Sequence, residues 1–130
     1  MLFLSRVATV SFSVLEPGNC IKAILGLFSG KTAILDLFSQ KELKILPKSD
    51  LALMFKVTDH LDKGKGHKNT ENVIVALPVR FVVVSFPTVT RTGKPMKYPK
   101  RKWVELMCER LVFDVSSFKT SNELFYVIEK

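Results

Sequence analysis

The sequence predicts an α/β fold, in which a sheet of mostly parallel strands carries helices on both faces and ends in an antiparallel hairpin. Three observations lead to this prediction. Short apolar runs alternate with segments of helical periodicity, the usual order of elements in a parallel α/β sheet. One run of high β-propensity lies between two prolines. The last two apolar runs are separated by only four residues, as the strands of a hairpin are.

The composition predicts one domain that spans residues 1–130. The chain is 47% hydrophobic and contains no repeat or linker that would divide it. No run reaches the roughly 18 to 20 consecutive apolar residues of a membrane helix, so no membrane association is expected. Two widely separated cysteines favour a reducing, cytoplasmic location. The formal net charge of +8 favours a polyanionic partner, although many basic domains bind no nucleic acid.

The first half of the chain predicts three strands and one helix. Val7–Leu15 is rich in β-branched and aromatic residues and stops at the turn signal Glu16–Gly18. Between Ile21 and Phe28, apolar residues recur with the spacing of a helix face. Thr32–Phe38 and Asp50–Lys56 are short apolar runs of the kind that form buried parallel strands.

The second half predicts two helices, an interior strand and the hairpin. Val57–Leu61 and Val73–Leu77 have helical spacing and are separated by a glycine-rich basic loop. Val79–Ser85 is the strongest strand signal in the chain, opened by one proline and closed by another. Leu111–Phe118 and Glu123–Glu129 should pair antiparallel.

A basic segment with aromatic neighbours precedes the hairpin. We expect a helix with Pro99 in its first turn and with one face formed by Trp103, Leu106, Met107 and the stem of Arg110. Clustered cations beside Tyr98 and Trp103 suit phosphate contacts and base stacking, and the alternative is a solvated loop. The cations lie within twelve residues: Arg91, Lys94, Lys97, Lys100, Arg101 and Lys102.

Three segments carry a resemblance to a known family. They are Asp50–Lys56, Val82–Thr88 and Asn122–Ile128, in that order within the stretch from near Ile21 to Lys130. In these segments the chain resembles the guanine-N7 methyltransferases of 16S ribosomal RNA, the FmrO-like family that includes aminoglycoside-resistance enzymes. The resemblance implies a Rossmann-like class I methyltransferase sheet, S-adenosylmethionine as cofactor, and ribosomal RNA or the small ribosomal subunit as partner.

The resemblance is to the C-terminal part of such an enzyme. The family has an N-terminal helical domain and a first strand that leads into a glycine-rich loop against the methionine end of the cofactor. None of the six glycines here forms Gly-x-Gly after a strand. We therefore expect an N-terminally truncated or degenerate methyltransferase-like domain, inactive in isolation. The alternatives are a non-catalytic RNA-binding or assembly module, or one half of a split enzyme whose sheet is completed by a partner chain or second copy.

Four residues are implied as cofactor contacts. The resemblance places Asp36 towards the adenine amino group and Glu16 towards the ribose hydroxyls, with Met54 and Phe55 lining the cofactor. Asp36 could instead cap the turn after its strand, because a buried carboxylate needs hydrogen-bond partners. Glu16 could equally belong to a solvated turn.

Four further residues are implied as contacts of the target nucleotide. Lys56 would face the nucleotide or a phosphate, while Ser85, Phe86 and Pro87 would form the floor beneath the base, with Phe86 available for stacking. Each position has a plainer interpretation, since a lysine can simply leave a strand for solvent and a proline can end one. No catalytic residue is predicted, because methyl transfer to N7 depends mostly on positioning.

No metal site or nucleophilic triad is predicted. Asp59, His60 and Asp62 invite a metal interpretation, but His60 and Asp62 are badly spaced for one helix face and no second cluster exists. The chain has two histidines, His60 and His67, both in polar surroundings, so neither a Ser-His-Asp nor a Cys-His arrangement is credible.

Overall fold

The computed structural model describes residues 7–12, 22–27, 32–46, 48–64 and 66–130. Glu16 and the predicted turn around it lie outside these residues. The described part contains seven strands and four helices. In chain order they are β1 (Val7–Phe12), β2 (Lys22–Leu27), β3 (Thr32–Asp36), α1 (Gln40–Lys44), β4 (Ser49–Phe55), α2 (Thr58–Asp62), α3 (Lys68–Ala76), β5 (Val79–Pro87), α4 (Lys102–Leu111), β6 (Asp114–Lys119) and β7 (Glu123–Glu129).

All seven strands form one mixed sheet in the order β3-β2-β1-β4-β5-β7-β6. β4 runs parallel to β1 and to β5, and the other four pairings are antiparallel. The predicted interior strand and C-terminal hairpin are confirmed, with β7 inserted between β5 and β6. The prediction of a mostly parallel sheet is wrong for the described strands, because four of the six pairings are antiparallel, among them β1 with β2 and β2 with β3.

The predicted helix between Ile21 and Phe28 is wrong. Lys22–Leu27 forms β2, whose backbone pairs with β1 on one side and β3 on the other. A short apolar run fits helical spacing and strand alternation about equally well, and here pairing on both edges decides for the strand. Thr32–Phe38 does contain a strand, but β3 ends at Asp36 and lies antiparallel at the edge of the sheet instead of parallel in its interior.

Three helices connect the strands in the middle of the chain. α2 and α3 confirm the two predicted helices, and the buried carboxylate of Asp62 accepts hydrogen bonds from the backbone N–H and the hydroxyl of Thr70 in the first turn of α3. α1 was not predicted. Its N-terminus is capped by Ser39, whose hydroxyl accepts a hydrogen bond from the Glu42 N–H at 3.4 Å. No described helix is long and apolar enough to cross a bilayer.

α4 begins at Lys102, three residues after Pro99, so the prediction that Pro99 lies in its first turn is wrong. The backbone N–H of Arg101, the residue before the helix, donates to the Tyr126 hydroxyl at 3.0 Å. The buried face is also displaced from the predicted one. It is formed by Val104, Met107 and Cys108, while Trp103 is half-buried and Leu106 and Arg110 are exposed.

α4 ends in a left-handed turn, so β6 begins at Asp114, later than the predicted Leu111. Val112 forms this turn with a φ of 59°. Its N–H donates to the Glu109 carbonyl, and the next N–H, that of Phe113, donates to the Cys108 carbonyl at 2.9 Å.

The described helices pack on one face of the sheet, so the prediction of helices on both faces is wrong for this part of the chain. Their buried residues share a single core with the even-numbered residues of β4, β5 and β7. The odd-numbered residues of these strands point to the opposite face because side chains alternate along a strand. Most of them stay half-buried or exposed: Leu51, Leu53, Phe55, Phe81, Val83, Phe125 and Val127. We call this second surface the open sheet face.

Candidate nucleic-acid interface

The register brings the predicted site residues of the described strands to one edge of the sheet. β4 ends at Phe55, which is paired to Ser85, and β5 ends two residues later at Pro87, which is paired to Glu123 at the start of β7. Asp36 ends β3 at the same edge, through the antiparallel pairing of β3 with β2 and of β2 with β1. Ligands of open α/β sheets bind outside the carboxyl ends of the parallel strands. We call this region the carboxyl edge.

Lys56 leaves β4 at this edge in a left-handed conformation with a φ of 55°. Its backbone N–H donates to both the carbonyl and the hydroxyl of Ser85, at 3.3 and 3.2 Å. Its ammonium lies 2.6 Å from Glu123 Oε1, and the lysine side chain is 60% exposed. Glu123 did not emerge from the sequence as a site residue, because only strand pairing brings it beside Lys56. A phosphate at Lys56 would have to compete with this carboxylate.

Phe86 does not have the position predicted for it. The ring is 1% exposed and makes edge-to-face contacts with Trp103 and Tyr126. The prediction that Phe86 is available to stack on a base is therefore wrong in this structure, since the ring points into the helix-covered core. Ser85 is fully buried. Pro87 is the last residue of β5, so the strand closes at this proline as predicted.

Met54 and Phe55, both predicted to line the cofactor, lie on opposite faces of the sheet. Met54 is fully buried on the helix-covered face and offers no surface to a ligand, contrary to prediction, whereas Phe55 is 45% exposed on the open sheet face. Asp36 is half-buried, and its Oδ1 accepts a hydrogen bond from the Phe38 N–H at 2.9 Å. The backbone N–H of Asp36 donates to Glu42 Oε2 at 2.6 Å. The capping role considered for Asp36 is thus present, next to a second carboxylate.

The residues at the carboxyl edge fit S-adenosylmethionine only in part. The Asp36 carboxylate is a suitable acceptor for an adenine amino group. Gly64, Gly66 and Gly93 all have positive φ, and a Cβ added at any of them would meet no atom within 4 Å. These three glycines therefore allow the backbone to turn, and none of them lies where the backbone closely surrounds a ligand. No described segment fits the methionine end of the cofactor, so we derive no chemical step through it.

The basic segment after β5 forms an ordered loop beside the carboxyl edge. The Thr90 N–H donates to the Lys94 carbonyl at 2.8 Å, and the Met96 N–H donates to the Thr88 carbonyl at 2.9 Å. This turn leaves five of the six predicted cations exposed: Arg91, Lys94, Lys97, Lys100 and Lys102. We call these five residues the basic cluster.

Arg101 is the exception among the six cations. Its guanidinium donates to the carbonyls of Tyr98 and Pro99, both at 3.0 Å, and lies 5.3 Å from the centre of the Phe86 ring. The prediction that it contacts RNA is not supported by this geometry, because its donors already hold the loop. Tyr98, in contrast, is exposed, with the Lys97 ammonium 5.3 Å from its ring centre.

The described residues of the site offer binding groups, and none of them is an activated nucleophile. Cys108 is buried in the core, and burial raises the pKa of its thiol to about 11, so the thiolate is scarce near neutral pH. The Asp62 carboxylate accepts a hydrogen bond from the Thr70 hydroxyl and lies 3.3 Å from His67 Nδ1. Within the described ranges, no group of three or more His, Cys, Asp or Glu side chains is placed to hold a metal ion. The arrangement is suited to positioning a polyanion.

Comparison with known proteins gives likeness in structure alone. No protein-family model matches the sequence, and neither does any curated protein. The 16S rRNA methyltransferase RmtF, solved in complex with S-adenosyl-L-homocysteine, superposes with a TM-score of 0.51 and 25% identity over 71% of this chain. The chain shares its fold with part of the 16S rRNA methylases. ArmA, another 16S rRNA methylase, superposes with a TM-score of 0.50 and 20% identity over 64% of this chain.

These neighbours belong to the class of protein that the sequence resembles. The match spans only 36% of the RmtF chain and 41% of the ArmA chain. The chain therefore corresponds to well under half of either methylase.

Proposed function

We propose that this chain is an rRNA methyltransferase-like domain that binds ribosomal RNA of the small subunit along its carboxyl edge. The observation that carries the proposal is the basic cluster, five exposed cations beside the ends of β4 and β5, in a fold shared with 16S rRNA methylases. Each lysine or arginine that neutralises a phosphate releases counterions and favours binding. Residues 1–130 form one partial methyltransferase-like domain in this proposal.

The finer proposal takes 16S rRNA as substrate, guanine N7 as the methylated atom and S-adenosylmethionine as the methyl donor. It rests on the sequence resemblance and on the S-adenosyl-L-homocysteine bound to RmtF. In this chain Asp36, together with Glu16, would hold the adenosine part. When bound, the cofactor supplies an electrophilic methyl group. The protein's contribution is to orient the purine and exclude water, which requires no catalytic base.

A non-catalytic RNA-binding module is the second candidate. The open turns at Gly64, Gly66 and Gly93 favour it, because a cofactor cradle needs closely approaching backbone and these turns provide none. A split enzyme, in which a partner chain or second copy supplies that cradle, is a third form of the same proposal. In all three candidates the carboxyl edge binds RNA, and they differ only in whether a methyl group is transferred.

Direct binding to RNA tests the shared part. Fluorescence anisotropy with a labelled fragment of 16S rRNA should give saturable binding that weakens as salt rises, with a slope of about −0.7 in log affinity per neutralised phosphate of a single strand. Polyglutamate, an acidic homopolymer, is the control for nonspecific charge attraction. Equal binding to polyglutamate and RNA, or no binding to either, would contradict the proposal.

A further inference from the structure

Three phenylalanines lie in one row across the open sheet face. The register pairs Phe118 of β6 with Phe125 of β7, Phe125 with Ser85 of β5, and Ser85 with Phe55 of β4. Paired residues share a face, so the four side chains stand at one level of the sheet. We call Phe55, Phe118 and Phe125 the aromatic row.

The rings of the row touch one another. Phe118 and Phe125 are stacked, with ring centres 4.8 Å apart and an angle of 7° between their planes. Phe55 meets Phe125 edge-to-face at 5.7 Å. Ser85, between them in the register, is fully buried. The two outer rings remain accessible, since Phe118 is 52% and Phe55 is 45% exposed. An exposed contiguous aromatic surface of this kind is typical of an interaction site.

Positive charge accompanies the row at the Phe55 end. Lys56 follows Phe55 where β4 ends, and its exposed side chain is paired with Glu123. Lys119 is paired in register with the buried Leu124 and therefore belongs to the opposite face of the sheet.

The row is also continuous with the basic cluster. The Thr88 N–H, at the start of the basic loop, donates to the Asn122 carbonyl in the turn between β6 and β7 at 2.9 Å. The row and the basic loop therefore flank the same turn at the carboxyl edge.

We propose that the aromatic row is a stacking platform for unpaired nucleobases of the bound RNA. This inference rests on the RNA-binding function proposed above and names the part of the RNA recognised. Every base has a π-face that can stack on an aromatic ring, and flanking cations can hold the adjoining phosphates. Loops and bulges of RNA present splayed bases, whereas a double helix hides them. The base-stacking role predicted for Phe86, which is buried, is assigned here to the exposed Phe118 and Phe55. In this proposal Phe55 contacts a nucleobase and not the cofactor.

Substitutions of Phe118 separate ring stacking from simple apolar contact. Phe118→Leu keeps an apolar side chain but removes the ring, and it should weaken binding of a short single-stranded RNA about fivefold or more at constant salt. Its salt slope should stay unchanged, because no phosphate contact is lost. Phe118→Trp should retain the affinity of the parent chain, and its added indole fluorescence should be quenched by RNA. Leu106→Ala, at an exposed apolar position on α4, is the matched control and should bind like the parent.

The outcomes are distinct from those that test the proposed function. Parent-like RNA affinity for both Phe118→Leu and Phe55→Leu would overturn the stacking platform while leaving RNA binding at the basic cluster intact. Absence of RNA binding by the parent chain would remove both. Row variants that bind RNA normally but change the sedimentation coefficient would assign the surface to protein association and also overturn the proposal. Circular dichroism of each variant confirms that it is folded.

Discussion

The pairing of Lys56 with Glu123 sets the charge available at the carboxyl edge. The Glu123 carboxylate lies 2.6 Å from the Lys56 ammonium and neutralises the cation closest to the ends of β4 and β5. Because the lysine is mostly exposed, the pair contributes little to stability, about 0 to 1 kcal/mol for surface pairs in general. Its importance is for binding, since a paired lysine is a weaker phosphate ligand than a free one.

Glu123→Gln should strengthen RNA binding. The amide removes one negative charge and releases Lys56, so the affinity should rise several-fold and the salt slope should steepen by about 0.7, the increment for one further phosphate. Glu129→Gln is the matched control, because Glu129 is paired with Arg80 at the opposite edge of the sheet. If both variants raise the affinity equally, general charge and not Lys56 is responsible. Anisotropy titrations at several salt concentrations provide the comparison.

Cys108 should make the folded chain sensitive to alkaline pH. Burial in the core raises the pKa of its thiol from the ordinary value of 9.0 to about 11. The folded pKa is higher than the unfolded one, so this contribution to stability is complete below about pH 9 and is lost as pH rises through about 11. A shift of this size corresponds to a loss on the order of 3 kcal/mol.

Cys108→Ala should reduce this alkaline loss. The variant is expected to be less stable than the parent near pH 7, because alanine leaves a small cavity in the core. Its stability should then fall less between about pH 8 and pH 10.5. Urea unfolding at a series of pH values measures both chains, and each retains Cys20, so that thiol cancels. Parallel curves for the two chains would show that Cys108 does not titrate on unfolding.

At the scale of elements, the basic loop divides its cations between structure and binding. Arg101 holds the backbone of the loop, while the side chains of the basic cluster extend into solvent. The sequence presents all six as equivalent. Only the fold separates a cation whose donors are satisfied from those that remain available to a phosphate.

Replacing Lys94, Lys97, Lys100 and Lys102 together by Ser should flatten the salt dependence of RNA binding. Each cation that contacts a phosphate contributes about −0.7 to the slope, so four contacts would remove almost 3 units. Arg101→Ser is the informative contrast. It should lower the thermal stability of the loop and α4 while changing the slope less than the quadruple variant. A quadruple variant with the parent slope would exclude this loop from the interface.

Element prediction succeeded where local and tertiary preferences agree. β5 starts after one proline, ends at another and is rich in valine, and the β6–β7 hairpin has a short polar turn, so both follow from sequence. The segment Lys22–Leu27 is too short for its period to distinguish helix from strand. Phe86 illustrates a different limit. β5 is apolar at odd and even positions, so the alternation alone does not reveal which face the helices cover.

The whole molecule presents two unlike sheet faces, and the site residues divide between them. One face holds the core with Met54 and Phe86, and the other exposes Phe55 and the rest of the aromatic row. Residues adjacent in sequence therefore have different roles. The sequence could place the candidate residues at the ends of β4 and β5 but could not assign each side chain to a face, because that assignment depends on how distant helices pack.

The 130-residue chain should bind S-adenosylmethionine weakly or not at all and should transfer no methyl group. Asp36 offers a carboxylate acceptor, but no described segment fixes the methionine end. Losing alignment of reacting atoms can forfeit much of an effective molarity equivalent to about 7 to 11 kcal/mol. Isothermal titration with the cofactor, followed by a radiolabelled methyl-transfer assay on small ribosomal subunits, measures both steps. A micromolar dissociation constant together with labelled 16S rRNA would contradict this prediction and reveal a complete cofactor site.

The left-handed turn at Val112 has a consequence for the hairpin that follows it. A β-branched residue with a φ of 59° is strained, and this side chain is 90% exposed, so no packing compensates the strain. Val112→Gly should raise the free energy of unfolding by about 1 kcal/mol, since glycine adopts this conformation freely, although its greater freedom in the unfolded chain offsets part of the gain. Chemical denaturation measures the change. A stabilised variant with unaltered RNA affinity would show that the backbone strain at Val112, between α4 and β6, is not required to keep Phe118 in position for RNA binding.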